Sequence, residues 1–483
     1  MTTLGRLAEE SWDRFGDHDA VFYDDAWHRR HTLAERARRV CGGLVEAGVR
    51  PGDRVAVMMA TSPEVAVVYQ AVWAAGAAVL PVIALAGPDE VRHMLADSAA
   101  TAVVTSPELA ETVRAAVPGG VRVFVGTGEL AAGAEHGLVE RDPGDLAAVM
   151  YTGGTTGRAK GVRLSHAGLW HVGRAVFTTS HQEGLNLGIV PVPLSHAYGL
   201  IVTVAEMHAT EPQQAVLMRW FDPGEFLALA AAHRVRFGTV VPTMLRLLLA
   251  EPLEEHPLPD LAYLTCGAAP LGRDTLLEFE RRMPGTQILE GYGMTETSAV
   301  ATFNPPGRRR VGSVGLPLPG YSLTIRDQDG GEAETGDVGE ICVRGRSLML
   351  GYWGEQDVDG GELRTGDLGL LDDDGYLYVV DRKKDLIIRG GFNVFPRDVE
   401  DALDRHPDVV MSGVVGRADP KLGEEVVAFV QLRPGAEVSA EDLVGWARER
   451  LGRVRYPREV RVVDSIPVTG ALKLDRRSLR AQL

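Results

Sequence analysis

Four short stretches carry residue types that could do chemistry. The first is Tyr151-Thr152-Gly153-Gly154-Thr155-Thr156-Gly157-Arg158-Ala159-Lys160-Gly161, which follows an apolar run, LAAVM. Glycines let a backbone turn sharply and aim successive amides at an anion, and the threonine hydroxyls and lysine add donors. Such a loop suits a polyphosphate. It is not a Walker loop, because no Gly-Lys-Ser/Thr stands at the required spacing. The second is Glu290-Gly291-Tyr292-Gly293-Met294-Thr295-Glu296-Thr297, after TQIL. A tyrosine between glycines can present its ring to a flat base, and the hydroxyl and carboxylate beyond it can meet phosphate and magnesium. The third is Arg364-Thr365-Gly366-Asp367, with Asp381-Arg382 after GYLYVV. A carboxylate held in a tight turn accepts two hydrogen bonds, as a sugar diol requires. The fourth is Pro467-Val468-Thr469-Gly470-Ala471-Leu472-Lys473. Taken singly, each also fits a plainer role: a Gly/Thr surface loop, a strand-end turn with a packed tyrosine, a turn aspartate, an exposed lysine.

The elements that must hold these stretches alternate. Leu33 to Ala47 has helical spacing and stops at Gly48, while Arg54 to Met59, Ala78 to Ile83, Thr101 to Thr105 and Val121 to Val125 read as strands. Alternation of this kind argues for an α/β fold with parallel-rich sheets flanked by helices. Val65 to Ala86 is nearly all apolar, but Gln70, Gly76 and Pro81 interrupt it. It reads as a buried helix, a break at Gly76 and a buried strand rather than a membrane span. From about 311 to 381 short strands alternate with Gly and Asp turns, predicting a β-rich subdomain within an N-terminal domain over 1–381. The charged segment DRKKD then predicts a hinge at 382–384 and a small, mobile α/β C-terminal domain over 385–483.

Composition narrows the function classes. Net charge is −16 over 483 residues, so a nonspecific grip on nucleic acid is disfavoured. Cys41, Cys266 and Cys342 have no paired spacing, which excludes a disulfide scaffold or zinc ribbon and predicts buried thiols in a reducing compartment. The polar, acidic first residues lack a signal-peptide core, so a cytoplasmic protein is expected, as monomer or homodimer.

Together the four motifs resemble, in order and spacing, the adenylate-forming superfamily of acyl-CoA synthetases, aryl-CoA ligases, luciferases and peptide-synthetase adenylation domains. The resemblance covers essentially the whole chain. It includes VPLSHAYGL at 192–200, VVPTM at 240–244, CGAAPL at 266–271, GEICVRGRSLMLGYW at 339–353 and DRKKDLIIRGGFNVFPRDVE at 381–400. It implies ATP-dependent activation of a carboxylic acid as acyl-AMP, followed by transfer to coenzyme A. The implied cofactors are ATP, Mg2+ and coenzyme A, or the phosphopantetheine of a carrier protein.

By the same resemblance, Thr152, Gly153, Gly154, Thr155, Thr156, Gly157 and Lys160 would hold the β- and γ-phosphates. Family loops usually have Ser where Gly153 stands and Pro where Ala159 stands, a loss that backbone amides should largely cover. Tyr292 would stack on adenine, with Gly267, Ala268 and Ala269 at its other face and Glu290, Gly291 and Gly293 alongside. Thr295 would touch the α-phosphate, Glu296 and Thr155 would serve the metal, and Asp367 and Arg382 the ribose. Lys473 would be the catalytic lysine. Lys384 would be the hinge residue, with Gly390 and Gly391 facing the pantetheine tunnel after domain rotation. His196, Tyr198, Val241, Gly267 and Gly291 would line the acyl pocket.

Amino-acid-activating relatives place an aspartate where this chain has Pro193 to Gly199, which holds no acid. Malonate-type relatives place an arginine where Gly291 stands. An apolar monocarboxylate, fatty or aromatic, is therefore expected, with the YTGGTTG variant tipping slightly to fatty acids. Glu362 stands where relatives often have Trp, in a contracted segment. Two alternatives stay open: an adenylating enzyme that loads a carrier protein or another nucleophile, and a catalytically degenerate nucleotide-binding module.

Overall fold

The computed structural model describes residues 2–152, 159–356, 361–469 and 474–483. The apolar run becomes the helix Pro63–Ala74, a left-handed Gly76 at φ 74°, and the buried strand Ala78–Pro81. A helix apolar on all sides must be covered on all sides. Its Trp73 Nε1 donates to Ala147 O at 3.0 Å, in the strand Leu146–Thr152, and its Tyr69 hydroxyl to Leu194 O at 3.1 Å, in the loop after Leu187–Val190. No described helix is long and apolar enough to cross a membrane.

The two large sheets are parallel-rich, as the continuous apolar strands predict. The seven-stranded sheet contains the parallel strands Arg54–Met58, Ala78–Pro81, Ala102–Thr105 and Arg122–Val125, and carries the hairpin Leu146–Thr152 with Lys160–Ser165 toward its other edge. The nine-stranded sheet runs, in spatial order, through Gln287–Tyr292, Tyr263–Cys266, Phe237–Val240, Leu187–Val190 and Gln214–Leu217 before reaching Asp19–Tyr23. An antiparallel four-stranded sheet follows, made of Tyr321–Arg326, Gly339–Gly345, Leu363–Leu371 and Leu377–Arg382. There Glu362 grips Arg326 through two contacts of 3.0 Å and Arg344 at 3.3 Å, so the residue that replaces Trp has become an ion-pair hub.

The last sheet comprises Ile387–Arg389, Phe392–Val394, Val409–Asp419, Gly423–Leu432 and Glu459–Val463. Helices Pro396–Asp404 and Ala440–Arg455 pack on it, while Leu479 of the short helix Arg476–Arg480 joins a separate cluster with Val415, Val427 and Phe429. The end of this region is fastened to its beginning: Arg480 Nη2 meets Asp385 Oδ1 at 2.7 Å, and Arg476 grips Glu400 at 2.7 and 2.8 Å. Polar contacts tie it to the preceding sheets. Arg397 donates to Leu271 O at 2.8 Å, Arg246 meets Asp404 at 3.0 Å, and Arg405 pairs with Asp274. Cys41, Cys266 and Cys342 are free and buried, and burial pushes the Cys41 thiol up to about 12.

Candidate functional site

Thr152 ends one strand of the hairpin and Lys160 begins the next, directly opposite. Gly153, Gly154, Thr155, Thr156 and Gly157 lie outside the described residues, as does Lys473. Lys160 Nζ reaches Glu355 at 2.8 Å and sits 4.9 Å from the centre of the Tyr352 ring. Tyr352 lies on the edge strand paired with Lys160–Ser165, and its hydroxyl donates to Glu296 Oε1 at 2.9 Å. A single tyrosine thus joins the foot of the first motif to the carboxylate of the second.

The second and third motifs also meet. The Tyr292 hydroxyl donates to Asp367 Oδ2 at 2.8 Å, while Arg382 Nε lies 3.2 Å from Asp367 Oδ1. Burial, and then the Asp367 carboxylate, push the Tyr292 phenol well above its ordinary value, so it remains a donor. Asp367 and Arg382 are register partners across two antiparallel strands, which fixes their spacing. The turn after Tyr292 is tightly wound. Ser298 and Ala299 have φ of 53° and 90°, and a Cβ on Gly293 would fall 2.2 Å from Ala299 O, so only glycine fits there.

Gly267, Ala268, Gly291, Tyr292, Gly293 and Thr295 line one end of a cavity of about 270 Å³. His196 and Tyr198 line it further in. His196 caps the helix Ala197–Glu206, its Nδ1 accepting from Tyr198 N at 3.2 Å, and the Tyr198 hydroxyl bonds Thr265 Oγ1 at 2.6 Å.

Three expected residues stand elsewhere. Val241 is packed in the core as the N-cap of helix Pro242–Ala250. Strand alternation puts Phe237 and Thr239 on the cavity wall, but the strand ends at Val240 and the pattern stops with it. Glu290 is buried away from the cavity. Burial pushes its carboxyl up to about 7 against the pull of Arg397 and Arg309. Ala269 follows the wall residues without joining them. Gly390 and Gly391 form a hairpin turn at φ 58° and 83° in the last sheet, beside the exposed Phe392 and Ile388. Burial lowers the Lys384 ammonium, with Arg382 adding to it.

Residues that no motif announced complete the site. Tyr352 lies in a resemblance segment with no role attached, and Glu355 just beyond it. Phe303 fills the space beside Gly291, where a Cβ would meet its Cδ2 at 3.1 Å. The glycine therefore makes room for a protein ring as well as for a ligand.

The AMP-binding enzyme family matches residues 8–353, and the AMP-binding enzyme C-terminal domain matches residues 398–473. A feruloyl-CoA synthase from Amycolatopsis sp. is 35% identical over 93% of this chain and 92% of its own length. The crystal structure of ATP-bound MatB from Rhodopseudomonas palustris superposes with TM-score 0.89 at 32% identity, covering 100% of this chain and 99% of that one. The amide bond synthetase McbA from Marinactinospora thermotolerans superposes with TM-score 0.87 at 30% identity, covering 99% and 100%.

Proposed function

This chain belongs to the AMP-binding enzyme family and is an ATP-dependent acid–CoA ligase that forms an acyl-AMP and then a thioester; we propose that two linked polar chains hold the nucleotide at one end of its cavity. The observation that carries this is the meeting of Tyr292, Asp367 and Arg382 in one chain and of Lys160, Tyr352 and Glu296 in the other. Asp367 takes the ribose hydroxyls, Tyr292 backs the adenine opposite Gly267 and Ala268, and Thr295 reaches the α-phosphate. Thr152 and Lys160, with Gly153, Gly154, Thr155, Thr156 and Gly157, hold the outer phosphates.

A substrate carboxylate oxygen attacks the α-phosphorus, and the bond to the bridging oxygen breaks as pyrophosphate leaves. Two anions approach in that step, so a cation between them stabilises the transition state; Lys473 supplies it. Glu296 fits Mg2+, which favours one or two carboxylates plus substrate phosphates, because Tyr352 occupies only its Oε1. The bound ion would neutralise charge on the phosphates. In the second step the thiol sulfur attacks the acyl carbon, AMP leaves with the bonding pair, and the thiol proton is lost.

The segment 382–384 is the hinge between a 1–381 domain and a 385–483 domain. Rotation about it withdraws Lys473 and brings Gly390, Gly391 and the exposed Phe392 toward the cavity. Lys384→Pro should retain pyrophosphate exchange and lose thioester formation; equal loss of both would remove the hinge role.

The acid is a fatty or aromatic monocarboxylate, since Gly291 and Phe303 offer no charge for a second carboxylate at that level. Pyrophosphate release across an acid panel, with and without coenzyme A, tests the whole reading. Release with any acid supports adenylation, and no release with any acid points to a degenerate module. Similarity to an amide bond synthetase favours one second reading, transfer to an amine, which would show as release without consumption of coenzyme A.

A further inference from the structure

The cavity does not end near the nucleotide. It is lined in turn by Gly291, Thr265, Thr239, Gly188 and Gln214, one residue from each of five successive strands of the nine-stranded sheet. Four inter-strand steps of ~4.8 Å carry it roughly 19 Å from the Tyr292 end. Its middle is apolar, with Ile201, Val202, Phe237 and Val190 among the lining side chains. Its far end is not. Arg30, Gln70, Glu206, Gln213 and Gln214 gather there, beneath Trp12.

The hydrogen bonding at this floor is half committed. Gln70 is 6% exposed, and its Oε1 accepts from Trp12 Nε1 at 2.9 Å. That bond fixes the amide orientation, and its Nε2 has no partner among the described residues. Gln214 spends its Nε2 on Asp19 O at 3.0 Å and Gln213 its Nε2 on Glu211 O at 3.4 Å, leaving two carbonyl oxygens as acceptors. Arg30, 8% exposed, is held by Glu206 at 3.1 Å and by Ser11 Oγ at 2.9 Å. This pair, with Gln213, also borders a small hollow on the far side lined by Ser11, Arg14 and His18, so it forms the partition that closes the cavity. Its charge is already neutralised.

Unspent donors and acceptors at the end of an apolar channel are costly unless a ligand meets them. Resting on the acyl-adenylate reading above, we propose that the acid activated here carries a neutral hydrogen-bonding group, such as a hydroxyl, carbonyl or carboxamide, at the end remote from its carboxylate, and that Gln70 and its neighbours read it. A terminal methyl leaves the Gln70 amide unmet. A terminal carboxylate finds Arg30 already taken by Glu206.

The test is pyrophosphate exchange by the full chain with acids of matched length ending in methyl, hydroxyl, carboxamide or carboxylate. The neutral polar termini should exceed methyl in kcat/KM by roughly 10- to 100-fold, with carboxylate no better than methyl. Gln70→Met should collapse that ratio toward one. If Gln70→Met does not fold because Trp12 loses its acceptor, Gln70→Glu keeps the acceptor, removes the donors, and must lower the same ratio for carbonyl and carboxamide termini. Exchange with equal rates for methyl and polar termini overturns the proposal while leaving adenylation standing, as does a ratio that both variants leave unmoved. Exchange with no acid overturns the adenylation reading and this inference with it.

Discussion

The two ends of the cavity are built in opposite ways. At the nucleotide end, polar side chains bond to one another in short chains, and each chain joins motifs that are far apart in sequence: Tyr292 to Asp367, Glu296 to Tyr352. At the acyl end, five strands each contribute two or three lining residues, and polarity gathers again at the floor. On the proposed reading, the first design suits a universal reactant, ATP, by charge and hydrogen bonds in set positions. The second fixes a variable one by shape. Changes at the nucleotide end should therefore alter rate for every acid alike, whereas changes at the acyl end should alter the ranking of acids.

Lys473→Ala gives the largest expected effect, a loss of about 10²–10³ in adenylation with every acid, because it removes a charge that acts in the transition state. Isotopic pyrophosphate exchange measures it, and undiminished exchange would take Lys473 out of the reaction. Asp367→Asn comes next. It keeps the shape but leaves Arg382 unpaired and weakens a charge-assisted acceptor, so kcat/KM for ATP should fall by roughly 10- to 100-fold, uniformly across acids. An acid-dependent loss would blur the division between the two ends. Phe303→Leu should do the reverse: acids branched near the carboxylate gain about tenfold relative to linear ones, while the dependence on ATP holds.

Glu290→Gln should change activity least. The folded pKa of Glu290 is raised to about 7, so the native state holds a proton that the unfolded chain releases nearer 4.5. Its stabilising contribution is complete below the unfolded value and disappears as pH rises through about 7. Glutamine mimics the protonated form. The variant should match the wild type in apparent melting temperature near pH 5 and melt a few degrees higher at pH 8. A variant less stable at both pH values would show that Arg309 and Arg397 require the anion.

Legibility in the sequence divides along the same line. The groups proposed to bind the nucleotide cluster in contiguous stretches, since a turn or a hairpin brings neighbours in sequence to neighbouring positions in space. The resemblance alone pairs Asp367 with Arg382, and the structure shows them as register partners across two antiparallel strands. The acyl wall offered no such stretch. Phe303, Thr239 and Gln70 sit in ordinary apolar strands and helices, and only the stacking order of the strands shows that they share a surface. Val241 stands off the wall for a local reason: the strand that carries Phe237 and Thr239 ends at Val240, and Val241 caps the helix that follows. Glu290 carries its carboxylate inside a motif, and only its burial shows that it stands off the cavity wall.

The bond between Asp385 and Arg480 makes the last sheet a belt buckled on itself, with the first residue past the proposed hinge fastened to the final helix. Fraying and bending are then one event, since loosening the buckle frees both ends together. Amide protons of Arg476–Arg480 and Ile387–Arg389 should accordingly exchange at a common rate, and Arg480→Ala should accelerate both.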